Sequence, residues 1–283
     1  MELELLSDAR ALLGEGPVWH AREQTLYWVD ILGRRVYAGT DLLLELDDSV
    51  GCLAPRRQGG LLLGVGVSLV ELDPASRGIS LRAILDEPAH NRINDGKCDP
   101  AGRFLVGTMD RREQQASGSL YSLESHTVRK LLSGIRISNG LTWSPDHRTL
   151  YYIDTPTRLV QAFDYDLASG EIANGRIAIR IPEALGWPDG MTTDTDGCLW
   201  IAMWGGAQVT RWDASTGKLL EQLPVPVLQP SSCIFGGAGL NELYITSART
   251  GMTPGQLAAY PLSGGLFRLS THHIGLPAVE FAS

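Results

Sequence analysis

The chain has 283 residues, 43% of them hydrophobic, with a formal net charge of −8 and a pI of about 5.3. That is enough for a sizeable core in one domain or two small ones, and too apolar for disorder. Lys and Arg are scattered singly in an acidic chain, which argues against a nucleic-acid or anionic-membrane partner. The longest apolar stretch, around residues 60–70, is too short and too Gly-rich to span a bilayer, and the first twenty residues read as no secretory signal. The four cysteines, Cys52, Cys98, Cys198 and Cys233, form no C-x-x-C pair, so buried thiols in a reduced cytoplasm are expected. H-E-x-x-H, G-x-S-x-G and P-loop motifs are absent from the sequence, which makes a metalloprotease, an α/β-hydrolase and a P-loop NTPase unsuitable readings.

In chain order, residues 2–6 read as a first short strand. Runs rich in β-branched and aromatic residues follow at 25–29, 104–106, 150–153, 199–203 and 243–246. Each comes directly after a turn signal: Arg22-Glu23-Gln24, Asp99-Pro100-Ala101-Gly102, Ser144-Pro145-Asp146, Asp194-Thr195-Asp196-Gly197 and Gly236-Gly237-Ala238-Gly239. A last run covers residues 265–270. With 32 Gly and 15 Pro spread along the chain, few windows remain for a long helix. The pattern is that of many short antiparallel strands.

The chain also repeats itself. Residues 14–30 align without a gap on residues 138–154, and from Glu15 to Asp30 six of sixteen positions are identical, including Gly16/Gly140, Trp19/Trp143 and Asp30/Asp154. Residues 94–106 align more weakly on 189–201, with Asp99/Asp194 and Gly102/Gly197 in register. Placed in one frame, the residues opening each unit fall at Glu15, about Cys52, Asn94, Asn139, Asp189 and about Ser232. The gaps are 37, 42, 45, 50 and 43. Six such units predict an all-β, six-bladed β-propeller with four-stranded antiparallel blades, a single domain over residues 1–283. The sixth unit lacks a strand unless residues 2–6 pair with 265–270 and close the ring.

In a propeller the innermost strand of each blade lines the central channel, so one frame position recurs at one depth. Glu15, Asn94, Asn139 and Asp189 would bring four side-chain oxygens to one axis. Two carboxylates and two amides suit a hard divalent cation: Ca²⁺, Mg²⁺ or Mn²⁺, with Zn²⁺ or Fe²⁺ also compatible. Taken singly, Asn-Gly and Asp-Gly also read as turns. Trp187 and Trp204 are candidates for a pocket wall, and Trp19 for packing between blades.

The motifs GEGPVW, RINDGKCDPAGRFLVGTM, SNGL-W-PD with LYYIDT, and PDGM-TD with G-LW-A resemble the gluconolactonase/regucalcin (senescence marker protein) family over nearly the whole chain. The resemblance implies six blades, a divalent metal at the channel mouth held by Glu15, Asn139 and Asp189, and substrate contacts at Arg92 and Asn94. It also implies hydrolysis of a sugar lactone, with the metal polarising the carbonyl and Asp189 as general base. One departure stands out. Where many relatives carry a second acid after G-T-M, this chain has Arg112, whose guanidinium suits a carboxylate, as on an aldarate- or uronate-derived lactone. The alternative is a calcium-binding regulatory propeller without catalysis, for which an arginine beside the ion has no use. A repeat scaffold lacks its regular G-H and W-D signatures here. No protein partner is implied.

Overall fold

The computed structural model describes residues 3–282. Its 24 strands form six sheets of four, each antiparallel and in simple up-and-down order from the channel outwards, except the last. The innermost strands are Gly14–His20, Val50–Pro55, Asn91–Cys98, Ser138–Trp143, Trp187–Thr193 and Gln229–Gly236, in blades 1 to 6. Each touches the innermost strand of the next blade, and the sixth touches the first, so the sheets form a closed ring. The six-bladed propeller expected from the repeat is the fold.

Blade 6 is built from both ends of the described chain. Gln229–Gly236, Glu242–Ala248 and Leu266–Ser270 are completed by Leu3–Ser7 as the outer strand. Leu3 lies opposite Leu269 and Leu5 opposite Phe267, with Glu4 opposite Arg268 and ion-paired to it at 2.7 Å. This is the closure the sequence predicts; Glu2, the first residue of the expected strand, lies outside the described residues.

Side chains alternate across each strand, so a blade has two apolar faces that only neighbouring blades can cover. Six apolar clusters result, one for each blade-to-blade junction around the ring. Trp19 of blade 1 stacks on Tyr244 of blade 6, ring centroids 5.6 Å apart, which is the inter-blade role expected for it. All four cysteines are buried free thiols. No helix among the described residues is long and apolar enough to cross a membrane.

The residues shared by the two best-aligned repeats are structural. Both oxygens of Asp30 accept backbone N–H groups of the entering segment, from Leu12 and Leu13. Asp154 does the same for Arg136 and Ile137. Asp99 and Asp194 each hold a tight turn and a buried arginine, Arg103 and Arg211. Buried carboxylates so fully bonded stabilise the corners of the blades.

Candidate active site at the channel mouth

Every innermost strand carries a β-bulge near its start. The register shifts after Glu15, Val50, Ile93, Asn139, Pro188 and Pro230. A bulge turns a side chain out of the normal alternation. Asn-Gly and Asp-Gly here are therefore not turns between strands: Asn139-Gly140 and Asp189-Gly190 lie inside strands. The glycine is required by crowding around the axis. A Cβ on Gly140 would stand 2.5 Å from the Asp189 carbonyl oxygen of the next blade. In blades 2 and 6 the bulged residues are Gly51 and Ser231, one place before the spacing-based positions Cys52 and Ser232.

The bulges deliver their side chains to a cavity of about 530 Å³ at one end of the channel, which Glu15, Arg92, Asn94, Asn139 and Asp189 line together. Glu15, Asn139 and Asp189 are all buried. Glu15 Oε2 accepts its neighbour Gly16 N–H at 3.0 Å. Asn139 Nδ2 donates to Thr155 Oγ1 at 3.1 Å, and that hydroxyl donates to the Pro188 carbonyl at 2.9 Å. This chain fixes the amide's orientation, and Asn139 Oδ1 is left buried without a partner. Asp189 Oδ1 is likewise buried and unpartnered. Two orphaned oxygens beside the Glu15 carboxylate are costly in a protein interior unless a cation or donor completes them. The donor set fits a hard divalent ion.

The electrostatics say the same. Burial, and after it the nearby Asp95, push the Glu15 carboxyl up to about 8. Asp189 is held well above the usual carboxylate range by burial, then by Glu15 and Asp95. Two buried acids raised together are a pair that a cation between them would return to the ionised form.

Arg92 is buried beside them. Its Nη1 donates to Asn94 Oδ1 at 2.6 Å and to the Ile93 carbonyl at 3.1 Å. Asn94 Nδ2 donates in turn to the Ser138 carbonyl at 2.8 Å. Asn94 thus differs from the other three frame residues, because its oxygen is already taken. Burial and the nearby Arg111 pull the Arg92 guanidinium down to about 10. Trp187 and Trp204, directly paired across neighbouring strands, form one wall as expected. The Arg158 guanidinium covers the Trp187 ring at 3.5 Å from its centroid.

Arg112 does not line the cavity. Asp110 accepts N–H groups from Arg112, Gln114 and Gln115, which winds this loop into a tight exposed turn. The arginine that does line the wall is Arg136, with Glu113 beside it. Sequence reasoning missed Arg136, Glu113 and Thr155, since no repeat frame reaches the loops between strands.

A second acidic cluster, Asp194, Asp196 and His273, has ligand atoms close enough to hold a metal. Arg211 already occupies it, with nitrogens 2.8 Å from Asp194 and 3.0 Å from Asp196. A cation there would face a guanidinium, so the channel set fits a metal better.

Residues 13–249 match the family described as SMP-30/gluconolactonase/LRE-like region. The chain belongs to this family. Among SMP-30/gluconolactonase relatives it is 38% identical to regucalcin of Danio rerio over 99% of this chain and 98% of that one. Regucalcin of Gallus gallus is 39% identical over 100% and 99%. Among solved structures it is similar to a calcium-binding protein, regucalcin, from Agrobacterium tumefaciens, with a TM-score of 0.94 and 28% identity, covering 99% and 97% of the two chains. A gluconolactonase from Xanthomonas campestris gives a TM-score of 0.76 and 26% identity over 95% and 89%.

Proposed function

We propose that this chain hydrolyses a sugar lactone to the open sugar acid, with a divalent cation held by Glu15, Asn139 and Asp189. The observation that carries the reading is the pair of buried, unpartnered oxygens, Asn139 Oδ1 and Asp189 Oδ1, facing a cavity that also holds a buried arginine. When bound, such a cation supplies a Lewis acid for a carbonyl oxygen and lowers the pKa of water in the site. Asp189 takes the proton of the attacking water as the new C–O bond forms. It returns that proton to the ring oxygen as the lactone C–O bond breaks. Glu15 and Asn139 hold the ligand set together, and Thr155 keeps the Asn139 oxygen aimed inwards. Arg92 and Asn94 orient the substrate's hydroxyls and carbonyl, which lowers the entropic part of the barrier. Trp187 and Trp204 offer apolar faces to the sugar ring.

The names of the regucalcin relatives favour a second reading, a calcium-binding propeller without catalysis. Arg92 weighs against it. A buried guanidinium beside a cation is repulsive, and it serves a bound polar substrate instead. A cavity of about 530 Å³ is also far larger than a lone ion needs.

The test is a pH-indicator assay on metal-stripped protein. Glucono-, galactono-, arabinono-, xylono- and glucaro-lactone are each run with Ca²⁺, Mg²⁺, Mn²⁺, Zn²⁺ or Fe²⁺ added back. The expected result is metal-dependent proton release. Tight metal binding with no turnover on any lactone supports the calcium-binding reading instead.

A further inference from the structure

The rim of the cavity carries a guanidinium that acts on the Asp154 carboxylate at a distance and is not ion-paired to it. Arg136 lines the cavity and is exposed there. Its Nε donates to the Glu113 carbonyl at 3.3 Å, and no carboxylate among the described residues lies within 4 Å of its guanidinium nitrogens. Of the two arginines that line the cavity it is the exposed one, since Arg92 is buried and bonded to Asn94. The backbone under Arg136 is pinned, because Asp154 accepts its N–H and that of Ile137. The single bond through Nε leaves both terminal nitrogens for a ligand. Two parallel N–H donors on one edge match the two oxygens of a carboxylate.

The charges facing the cavity add to this. Glu15 and Asp189 would neutralise a divalent ion between them. What remains is Arg92, Arg136 and Glu113 on the lining, with Arg158 stacked behind Trp187. Two cations against one anion on the lining favour a ligand with negative charge at the end away from the reacting centre.

We propose that Arg136 is a specificity-determining residue that selects lactones bearing a second, free carboxylate, the class formed by aldaric acids. The proposal rests on the lactonase reading above. Specificity of this kind comes from a charged group left unpaired when the wrong substrate binds, so the neutral lactone loses the contact and leaves the guanidinium as it was. The expectation of a carboxylate-binding arginine thus moves from Arg112 to Arg136.

The experiment compares kcat/KM on glucaro- and glucono-lactone for metal-loaded wild type, Arg136→Ala and Arg136→Lys. The ratio of the two values should fall at least about tenfold in the alanine variant and less in the lysine variant, which keeps charge and loses the fork. Calorimetric binding of the open acids, glucarate against gluconate, is a second readout that needs no turnover. Glucarate should bind more tightly to wild type, and that advantage should disappear in Arg136→Ala. An unchanged ratio with equal binding of the two acids overturns the proposal. If no lactone is turned over and glucarate still depends on Arg136, the lactonase reading fails and the carboxylate site stands.

Discussion

Two buried aspartates, five residues apart on one run of chain, have opposite environments. Asp194 has every lone pair in use. Its Oδ1 accepts Asp196 and Cys198 N–H, and its Oδ2 accepts Trp200 Nε1 and Arg211 Nε, the last at 2.8 Å. Asp189 has a buried oxygen with no partner, and its nearest charges are other acids. Burial is the same in the two cases; the local counter-charge differs. A buried carboxylate with its own arginine is a piece of scaffold. One among carboxylates is waiting for a ligand.

The comparison can be broken at the level of the ring. Deleting residues 1–8 removes the outer strand of blade 6 and opens the closure on which both aspartates depend. A fall in Tm of about 10 °C or more is expected. An unchanged melting curve contradicts the account of the shared blade. Next in size, Asp189→Ala should reduce lactone hydrolysis by about a thousandfold or more. The metal-free variant should melt no lower than wild type, since an unpaired buried acid has been removed. Asp194→Ala should do the reverse. Stability falls by about 3–5 kcal/mol as Arg211, the Trp200 Nε1–H and the turn N–H groups lose their shared buried acceptor, while the protein that remains folded keeps its activity within a few fold. Denaturant titration alongside turnover separates the two; equal behaviour of both variants refutes the distinction.

How much of this was legible in the sequence follows from the same contrast. The turns held by Asp99 and Asp194 repeat because blades 3 and 5 close the same corner with the same carboxylate, so alignment finds them. The channel residues were readable because the bulge recurs at one depth and needs a small residue after it, as Gly16, Gly140 and Gly190 attest. Asn94 looked equivalent to Asn139, but its oxygen is occupied by Arg92, and no spacing encodes that bond. Spacing after G-T-M points to Arg112 and carries no sign of Arg136, because the loop's direction is set by three N–H bonds to Asp110, which only the fold brings together.

A smaller effect sharpens the picture further. In metal-free protein Glu15 keeps its proton up to about pH 8, whereas an unfolded chain loses it near 4.5. Between those values the folded state holds the extra proton, so stability is present at low pH and declines as pH rises towards 8. In chelator, Tm should fall from pH 5 to pH 8; Glu15→Gln should flatten the slope. A divalent cation takes the proton's place, so the stabilisation it gives should grow over the same interval. A Tm that climbs through this range in chelator refutes the assignment. Smallest of all, Trp187→Ala should raise KM up to about tenfold with little change in kcat, as the sugar loses an apolar wall. Steady-state kinetics on the preferred lactone reads this directly.

The shared blade also bears on how the protein comes into being. A ribosome that has made residues 1–240 has already produced Glu15, Arg92, Asn139 and Asp189. The ring at that moment lacks Leu266–Ser270, the strand that joins Leu3–Ser7 to the rest. Long-range pairings of this kind are slow to form, so blade 6 closes only once Leu266–Ser270 has been made. Until then blade 1, which carries Glu15, is not held to blade 5 through a complete blade 6.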